Sequence, residues 1–368
     1  MNIDIIAGAR PNFMKIAPII DAIKAEESKG KNIHYRLIHT GQHYDKKMSG
    51  DFFEQLGIPE PDINLESGSG TQAEQTAAIM MRYEKVLMEN RPDLVLVVGD
   101  VTSTMACSIA AKKLNNIKVA HVEAGIRSGD LSMPEEINRM VTDAITDYFF
   151  TTSEVANKNL KASGLKDEQI FFVGNTMIDT LLKQRSRFRK PFVWDRIGLM
   201  DQEYIVMTLH RPANVDEESK LKALMDEIIS NSEELQLVFP VHPRTEKILS
   251  GLGISHPRLH MIEPLGYLEF NYLVERAKAV ITDSGGITEE TTVMGVPCMT
   301  LRDNTERPET ITIGTNELIG TNPKAIAPAM KTLFDGQWKK GEIPPLWDGK
   351  TAERIVKHIE EEFGVKPE

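Results

Sequence analysis

Short apolar runs rich in Val, Ile and Leu alternate with amphipathic helical segments from end to end of this chain. That alternation admits few folds, because a strand followed by a helix returns to its sheet in parallel as a βαβ unit. Strands are expected near 3–8, 34–40, 93–99, 118–122, 147–152 and 170–173. A second series is expected near 204–209, 236–241, 259–263, 279–283, 297–301 and 317–320. Helices fall between them at 71–90, 103–115, 135–146, 177–189, 219–232 and 268–277. The stop signals agree: Asn90-Arg91-Pro92-Asp93 ends one helix before its strand, and Gly295-Val296-Pro297 ends another.

A length of 368 residues is too great for one ordinary domain and fits two. The basic, proline-bearing stretch Arg185–Pro191 precedes the second strand series, so the division is placed in 175–200. The expected parts are 1–175, 176–350 and a terminal helix in 351–368 that packs back on the first domain. The fold class is therefore α/β, with two Rossmann-like, doubly wound domains facing a cleft lined by strand C-terminal ends. Composition is that of a globular protein, and a net charge of −11 argues against nucleic acid or an anionic membrane as partner. Cys107 and Cys298 lie within helix and strand patterns and read as buried thiols, not a disulfide. No run approaches the about 18 apolar residues of a membrane span. The chain opens directly into a strand with no signal-peptide pattern, and cytoplasm is the default location. The 17 methionines are scattered and read as core fillers.

Three of the apolar runs end distinctively. Leu94–Val98 closes on Gly99-Asp100, Val119–Val122 on Glu123-Ala124-Gly125, and Ala279–Ile281 on Thr282-Asp283-Ser284-Gly285-Gly286. Ligands of open α/β sheets bind at that edge. Asp100 and Glu123 end adjacent strands, and Glu135 follows Met133-Pro134 at a helix start. Acids gathered in a cleft repel one another and lose water, so one can hold a proton while another accepts one. Each has a plainer reading. Asp100 could only cap a helix and Glu135 is an ordinary first-turn acid; Glu123 has the poorest structural excuse, since a buried acid is costly unpaired.

The remaining candidates suit an anionic ligand. Gly8-Ala9-Arg10-Pro11-Asn12 leads into a helix carrying Lys15, a small-residue turn whose free backbone N–H groups suit phosphate; a plain turn with a surface arginine reads as well. In Asp283-Ser284-Gly285-Gly286, Ser284 can cap the following helix, and the glycines remove the Cβ atoms that would block an anion. Glu290, one turn later, could accept hydrogen bonds from ribose hydroxyls, although a capping box would also explain acids there. His210 and Arg211 end the first strand of the second series, where they could neutralise a leaving diphosphate, and His242 repeats the placement one strand over. A satisfied loop histidine explains His210 equally. No metal or cofactor is expected: His39 and His43 span a strand-to-loop passage, and there is no zinc-type cysteine pairing, phosphate-loop lysine or nucleophile elbow.

Taken in order, these motifs resemble the non-hydrolysing UDP-N-acetylglucosamine 2-epimerases. The resemblance runs from Gly8-Ala9-Arg10-Pro11 through Thr40-Gly41-Gln42-His43, Gly99-Asp100, His121–Arg127, Pro134–Arg139, Gly174-Asn175-Thr176, His210-Arg211, Pro240–Pro243 and Asp283–Gly286 to Arg302–Glu309. It implies a glycosyltransferase-B-like architecture and a reaction without metal or nicotinamide. The C2 proton leaves as UDP departs from C1, giving a bound 2-acetamidoglucal, and UDP returns with reprotonation on the other face. By matching positions Asp100, Glu123 and Glu135 would be the acid/base set and His210 would assist the leaving group. Arg10, Lys15, Ser284, Gly285, Gly286, Glu290 and Arg307 would hold UDP, with Phe270 near the uracil. The resemblance further implies a homodimer that feeds polysaccharide biosynthesis from a UDP-sugar.

One stretch departs from that pattern. Gly41 to Ser49, leading to Phe52-Phe53, is closer to the branch acting on UDP-2,3-diacetamido-glucuronate, whereas Arg307-Pro308-Glu309 looks like the plain UDP-N-acetylglucosamine enzymes. In bacterial members the former region, here with Gln42 and His43, also helps form a site for an activating second substrate molecule, so allosteric activation stays open. A glycosyltransferase of the same architecture is the alternative of another class, but transfer calls for no C2 proton shuttle. A hydrolysing epimerase would accumulate UDP, and a non-catalytic sensor would show no turnover.

Overall fold

The apolar runs fold as parallel strands covered on both faces; in Leu94–Val98 all five side chains are buried. The computed structural model describes residues 1–41, 53, 55–241 and 243–366. Gln42, His43 and His242 lie outside the described residues, as does the side chain of Arg10.

The chain divides into two compact units, Met1–Lys183 with Pro345–Glu368, and Gln184–Pro344. In the first, β1 (Asn2–Ala7), β2 (His34–His39), β3 (Ile63–Asn64), β4 (Leu94–Val98), β5 (Lys118–Val122), β6 (Tyr148–Thr151) and β7 (Ile170–Phe172) form one sheet. Their order is β3-β2-β1-β4-β5-β6-β7. In the second, β8 (Tyr204–Thr208), β9 (Gln236–Pro240), β10 (Leu259–Ile262), β11 (Ala279–Thr282), β12 (Cys298–Thr300) and β13 (Asn316–Leu318) have the order β10-β9-β8-β11-β12-β13. Every pairing in both sheets is parallel. Both sheets are thus doubly wound α/β, and strand order reverses between β1 and β4 and between β8 and β11. The loops following those four strands are where such a sheet binds ligands.

Local signals place the helices. Thr71 caps Gln72–Glu89 by accepting from Glu74 N, with Glu74 returning the bond to Thr71 N, and Pro134 begins Pro134–Ile145 at the position where proline fits best. Two details differ from expectation. β3 is a two-residue strand that no hydrophobic period reveals. The helix expected over 177–189 ends at Gln184 and tightens into a 3-10 turn, Arg185–Arg187.

The returning segment Pro345–Glu368 is fastened within the first unit. Trp347 is buried and its Nε1 donates to Thr152 O at 3.0 Å. Helix Thr351–Phe363 is capped from afar: Asp179 accepts from Thr351 N at 3.1 Å and Ala352 N at 2.7 Å. Burial pushes the Asp179 carboxyl up to about 6 in spite of these bonds. Gly174 sits beneath the return with φ +104°, and a Cβ there would lie 2.1 Å from Leu346 O. Gly174→Ala is therefore expected to cost about 2 kcal/mol or more, read as a lowered melting temperature with the secondary structure retained. Cys107 and Cys298 are buried free thiols. Among the described residues no helix is long and apolar enough to cross a membrane.

Candidate active site

At the reversal point of the first sheet, one side chain organises the turn after β1. Asn12 Oδ1 accepts from Gly8 N at 3.1 Å and Ala9 N at 3.0 Å, and its Nδ2 donates to Val98 O at 3.1 Å. Pro11 has no N–H, and Asn12 N is taken by Ala9 O. The expectation that this turn offers free amides to phosphate is corrected for Gly8 N and Ala9 N, which a buried asparagine takes while tying β1 to β4.

Lys15, one turn further along Arg10–Glu27, reaches across to the tip of β5. Its Nζ stands 2.7 Å from Glu123 Oε2, and both side chains are largely shielded from water. A Cβ on Gly99 would meet Lys15 Nζ at 3.4 Å, Glu123 Oε2 at 3.6 Å and Asn12 Nδ2 at 3.7 Å, so the three side chains converge over the tip of β4. Glu123 holds φ +68°, a left-handed conformation that disfavours a residue with a Cβ by roughly 1–2 kcal/mol. Such strain persists only where surrounding contacts enforce it, and it clusters at functional sites.

Asp100, on the neighbouring strand end, is one-third exposed. It is not a helix cap, since Val101 holds that position; instead its carboxylate receives Arg139 Nη2 and its carbonyl receives Asn138 Nδ2 at 2.8 Å. Each of the two acids therefore has its own cation. Arg139 also donates to Glu136 at 2.7 Å, and Glu136 accepts from Ser128 N and Gly129 N at 3.0 Å. Burial raises the Glu136 carboxyl, but these donors together hold it below the usual range. Glu135, the adjacent residue, is exposed in the first helical turn, and among the described residues no hydrogen bond or ion pair holds it.

Behind both acids lies a buried pair that sequence reasoning missed. His121 Nδ1 is 2.7 Å from Asp143 Oδ1, and Nε2 is 2.8 Å from Gly99 O. Asp143 Oδ2 accepts from Gly125 N at 3.1 Å and Arg127 Nη1 at 2.7 Å. Burial would raise the Asp143 carboxyl, but His121 and Arg127 hold it below its ordinary value. The four-residue spacing of Arg139 and Asp143 on one helix, facing two strand tips, is the one signal that could have revealed it.

In the second unit the reversal point centres on Asp283, which is fully buried. It accepts from His210 N at 3.0 Å, Arg211 N at 2.9 Å and Asn214 Nδ2 at 3.1 Å, and faces His210 Nδ1 at 2.7 Å. Burial raises its carboxyl, but these partners outweigh that and hold it below the usual range. Arg211 Nε donates to Asp283 O at 3.0 Å, and the His210 side chain is mostly exposed. Ser284 begins helix Gly285–Met294, but its side chain makes no capping bond, which corrects the expected cap; its own N–H is drawn to Thr282 Oγ1 at 3.0 Å. Helix amides without a side-chain cap beside paired glycines are what an anion requires.

Further along that helix, Glu289 pairs with Arg307, and Glu290 accepts from Tyr267 OH at 2.7 Å. Burial pushes the Glu290 carboxyl up to about 7, Tyr267 and Asn271 pull it down, and the charge of Glu289 adds to the rise. Phe270 packs partly buried on the cluster that includes Leu273 and Val274. In the first unit His39 Nδ1 accepts from Gly41 N at 2.9 Å, and no group of three or more His, Cys, Asp or Glu among the described residues is placed to hold a metal ion.

A family model described as UDP-N-acetylglucosamine 2-epimerase matches residues 25–360. The chain is 42% identical to the UDP-N-acetylglucosamine 2-epimerase of Methanocaldococcus jannaschii, over 97% of this chain and 98% of that protein. It is 38% identical to the UDP-2,3-diacetamido-2,3-dideoxy-D-glucuronate 2-epimerase of Pseudomonas aeruginosa, over 98% and 99% respectively. The crystal structure of the M. jannaschii enzyme in complex with UDP-GlcNAc and UDP superposes with a TM-score of 0.85 at 41% identity, covering 98% of this chain and 100% of that one.

Proposed function

This chain belongs to the UDP-N-acetylglucosamine 2-epimerase family, and we propose that it interconverts UDP-N-acetylglucosamine and UDP-N-acetylmannosamine by eliminating and re-adding UDP. The single observation that carries the reading is Glu123, an acid held in left-handed backbone at a strand tip, with Lys15 at 2.7 Å and Asp100 on the adjoining strand. Removal of a C2 proton and its return to the other face need two acid/base groups fixed to different positions. Glu123 and Asp100 take those roles; Lys15, expected to hold UDP, also pairs with Glu123. Glu135, exposed in the first turn of its helix, is the third member of the set. His210 assists the departing diphosphate, and Arg10, Ser284, Gly285, Gly286, Glu290, Arg307 and Phe270 hold the nucleotide.

Turnover of UDP-N-acetylglucosamine in deuterium oxide tests the proposal. Deuterium should appear at C2 of both epimers, with no net release of UDP. Intact substrate without exchange would end the reading, and acceptor-dependent transfer would put a glycosyltransferase in its place. The P. aeruginosa relative at 38% identity favours a second substrate, the diacetamido-glucuronate; a comparison of kcat/KM on the two decides. Family membership also supports a homodimeric, cytoplasmic enzyme, and light scattering at twice the chain mass checks the first point.

The Glu290 carboxyl gives this reading a pH signature. Ribose hydroxyls donate to the ionised form, whereas burial keeps the free protein half protonated near pH 7. UDP binding therefore releases a proton, and affinity should fall up to about tenfold per unit as pH drops below 7. UDP's own phosphate titrates near pH 6 as well, so calorimetry compares the chain with Glu290→Gln. The variant should bind more weakly at pH 8 and lose the steeper part of the slope. Identical slopes would remove Glu290 from the ribose.

A further inference from the structure

His121 lies two residues before Glu123 on β5, fully buried, and neither ring nitrogen faces a donor. The Gly99 carbonyl can only accept. Asp143 accepts at Oδ2 from Gly125 N and Arg127, so its proton is absent there, and Oδ1 faces Nδ1 of His121. Each ring nitrogen therefore faces an acceptor, Asp143 Oδ1 on one side and the Gly99 carbonyl on the other. The ring's two bonds bridge the helix Pro134–Ile145 to the tip of β4.

The consequences fall on both acids. The Gly99 carbonyl belongs to the peptide group that begins Asp100, and Gly99 itself is left-handed at φ +70°. A bond to that oxygen sets the peptide plane, and with it the direction from which the Asp100 side chain leaves. Asp143's other oxygen holds Gly125 N and Arg127, the residues that follow Glu123. The buried pair thus grips the residue before Asp100 and the turn after Glu123. Packing alone would be served at least as well by an apolar pair, because burying a carboxylate and a polar ring is costly. Directional bonds supply orientation, which apolar contact does not.

We infer that the buried His121–Asp143 pair is a positioning element that keeps the turns bearing Asp100 and Glu123 aligned on the same substrate carbon. This rests on the epimerase reading above. Neither residue meets substrate; each acts through the backbone that carries an acid. A misplacement of about 1 Å at a reacting group can cost about 10²-fold in rate.

The experiment compares the chain with Asp143→Asn, His121→Gln, their double variant and Arg127→Gln, using UDP-N-acetylglucosamine bearing hydrogen or deuterium at C2. Expected results for Asp143→Asn and His121→Gln are a fall in kcat of about 10²-fold, KM within about threefold and unchanged UDP affinity. The C2 isotope effect on kcat should rise, because proton transfer becomes the slow step. The double variant should be no slower than the worse single one. Arg127 reaches the surface, so Arg127→Gln keeps the fold and should show the isotope-effect rise with a smaller fall in kcat. A merely structural role would lower the active fraction and the melting temperature but leave the isotope effect unchanged; that result, in Arg127→Gln or any folded variant, overturns the inference. A raised KM at unchanged kcat overturns it too. No C2 exchange by the unaltered chain would instead sink the epimerase reading itself.

Discussion

Glu123→Gln is expected to slow C2 deuterium exchange by about 10³-fold, within the range of a positioned acid/base group, while UDP binds as tightly as before. The amide keeps the volume and the left-handed backbone but cannot take up a proton from carbon. It also removes the ion pair with Lys15, whose ammonium is largely shielded from water. Asp100→Asn should lose a similar factor, since the amide can neither accept the proton nor match Arg139. Nucleotide affinity is the control, because the groups proposed to hold UDP lie, Arg10 excepted, in the other unit. Exchange within tenfold of the unaltered rate would mean that Glu123 is not the group at C2. Nucleotide affinity lost in step with turnover would mean that the acid is part of the binding site instead.

What could be read in advance follows from the range of the interactions involved. Strand tips such as Gly99-Asp100 and Glu123-Ala124-Gly125 stand out because an apolar run stops abruptly on residues that only a ligand-binding edge tolerates. Parallel α/β layering follows from the alternation itself. The partners were hidden because nothing local records them. Lys15 and Glu123 are 108 residues apart in the chain and 2.7 Å apart in space. A lysine one turn after a phosphate-like glycine turn invites assignment to the nucleotide, and only the folded chain shows that it also pairs with the tip of β5. Asn12 was legible as a turn residue, not as the acceptor that consumes the turn's own amides. β3 escaped for the opposite reason, since two residues carry no period at all. Ser284 sits where a cap belongs, yet its N–H rather than its hydroxyl is engaged, a choice set by Thr282 on the preceding strand.

Asp283→Ala is expected to damage the second unit most. Its fully buried carboxylate is the acceptor shared by His210 N, Arg211 N and the buried Asn214 amide. Each donor left without a partner costs about 1–3 kcal/mol, and breaking a buried charged network typically costs about 3–5 kcal/mol. The folded carboxyl titrates below its ordinary 3.8, so its stabilisation is present above that value and is lost as pH falls through the folded one. The penalty of the variant should therefore be full at pH 7 and shrink in acid. Asp283→Asn separates charge from volume: it keeps the shape but turns an NH2 toward donors, so it too should unfold earlier in urea than the unaltered chain. Because the same residue begins the Ser284-Gly285-Gly286 turn, nucleotide affinity should fall in both variants even where the unit remains folded. An Asn variant as stable as the original at pH 7, binding UDP equally well, would show that the turn holds its shape without the charge and that the anion site is built by the glycines alone.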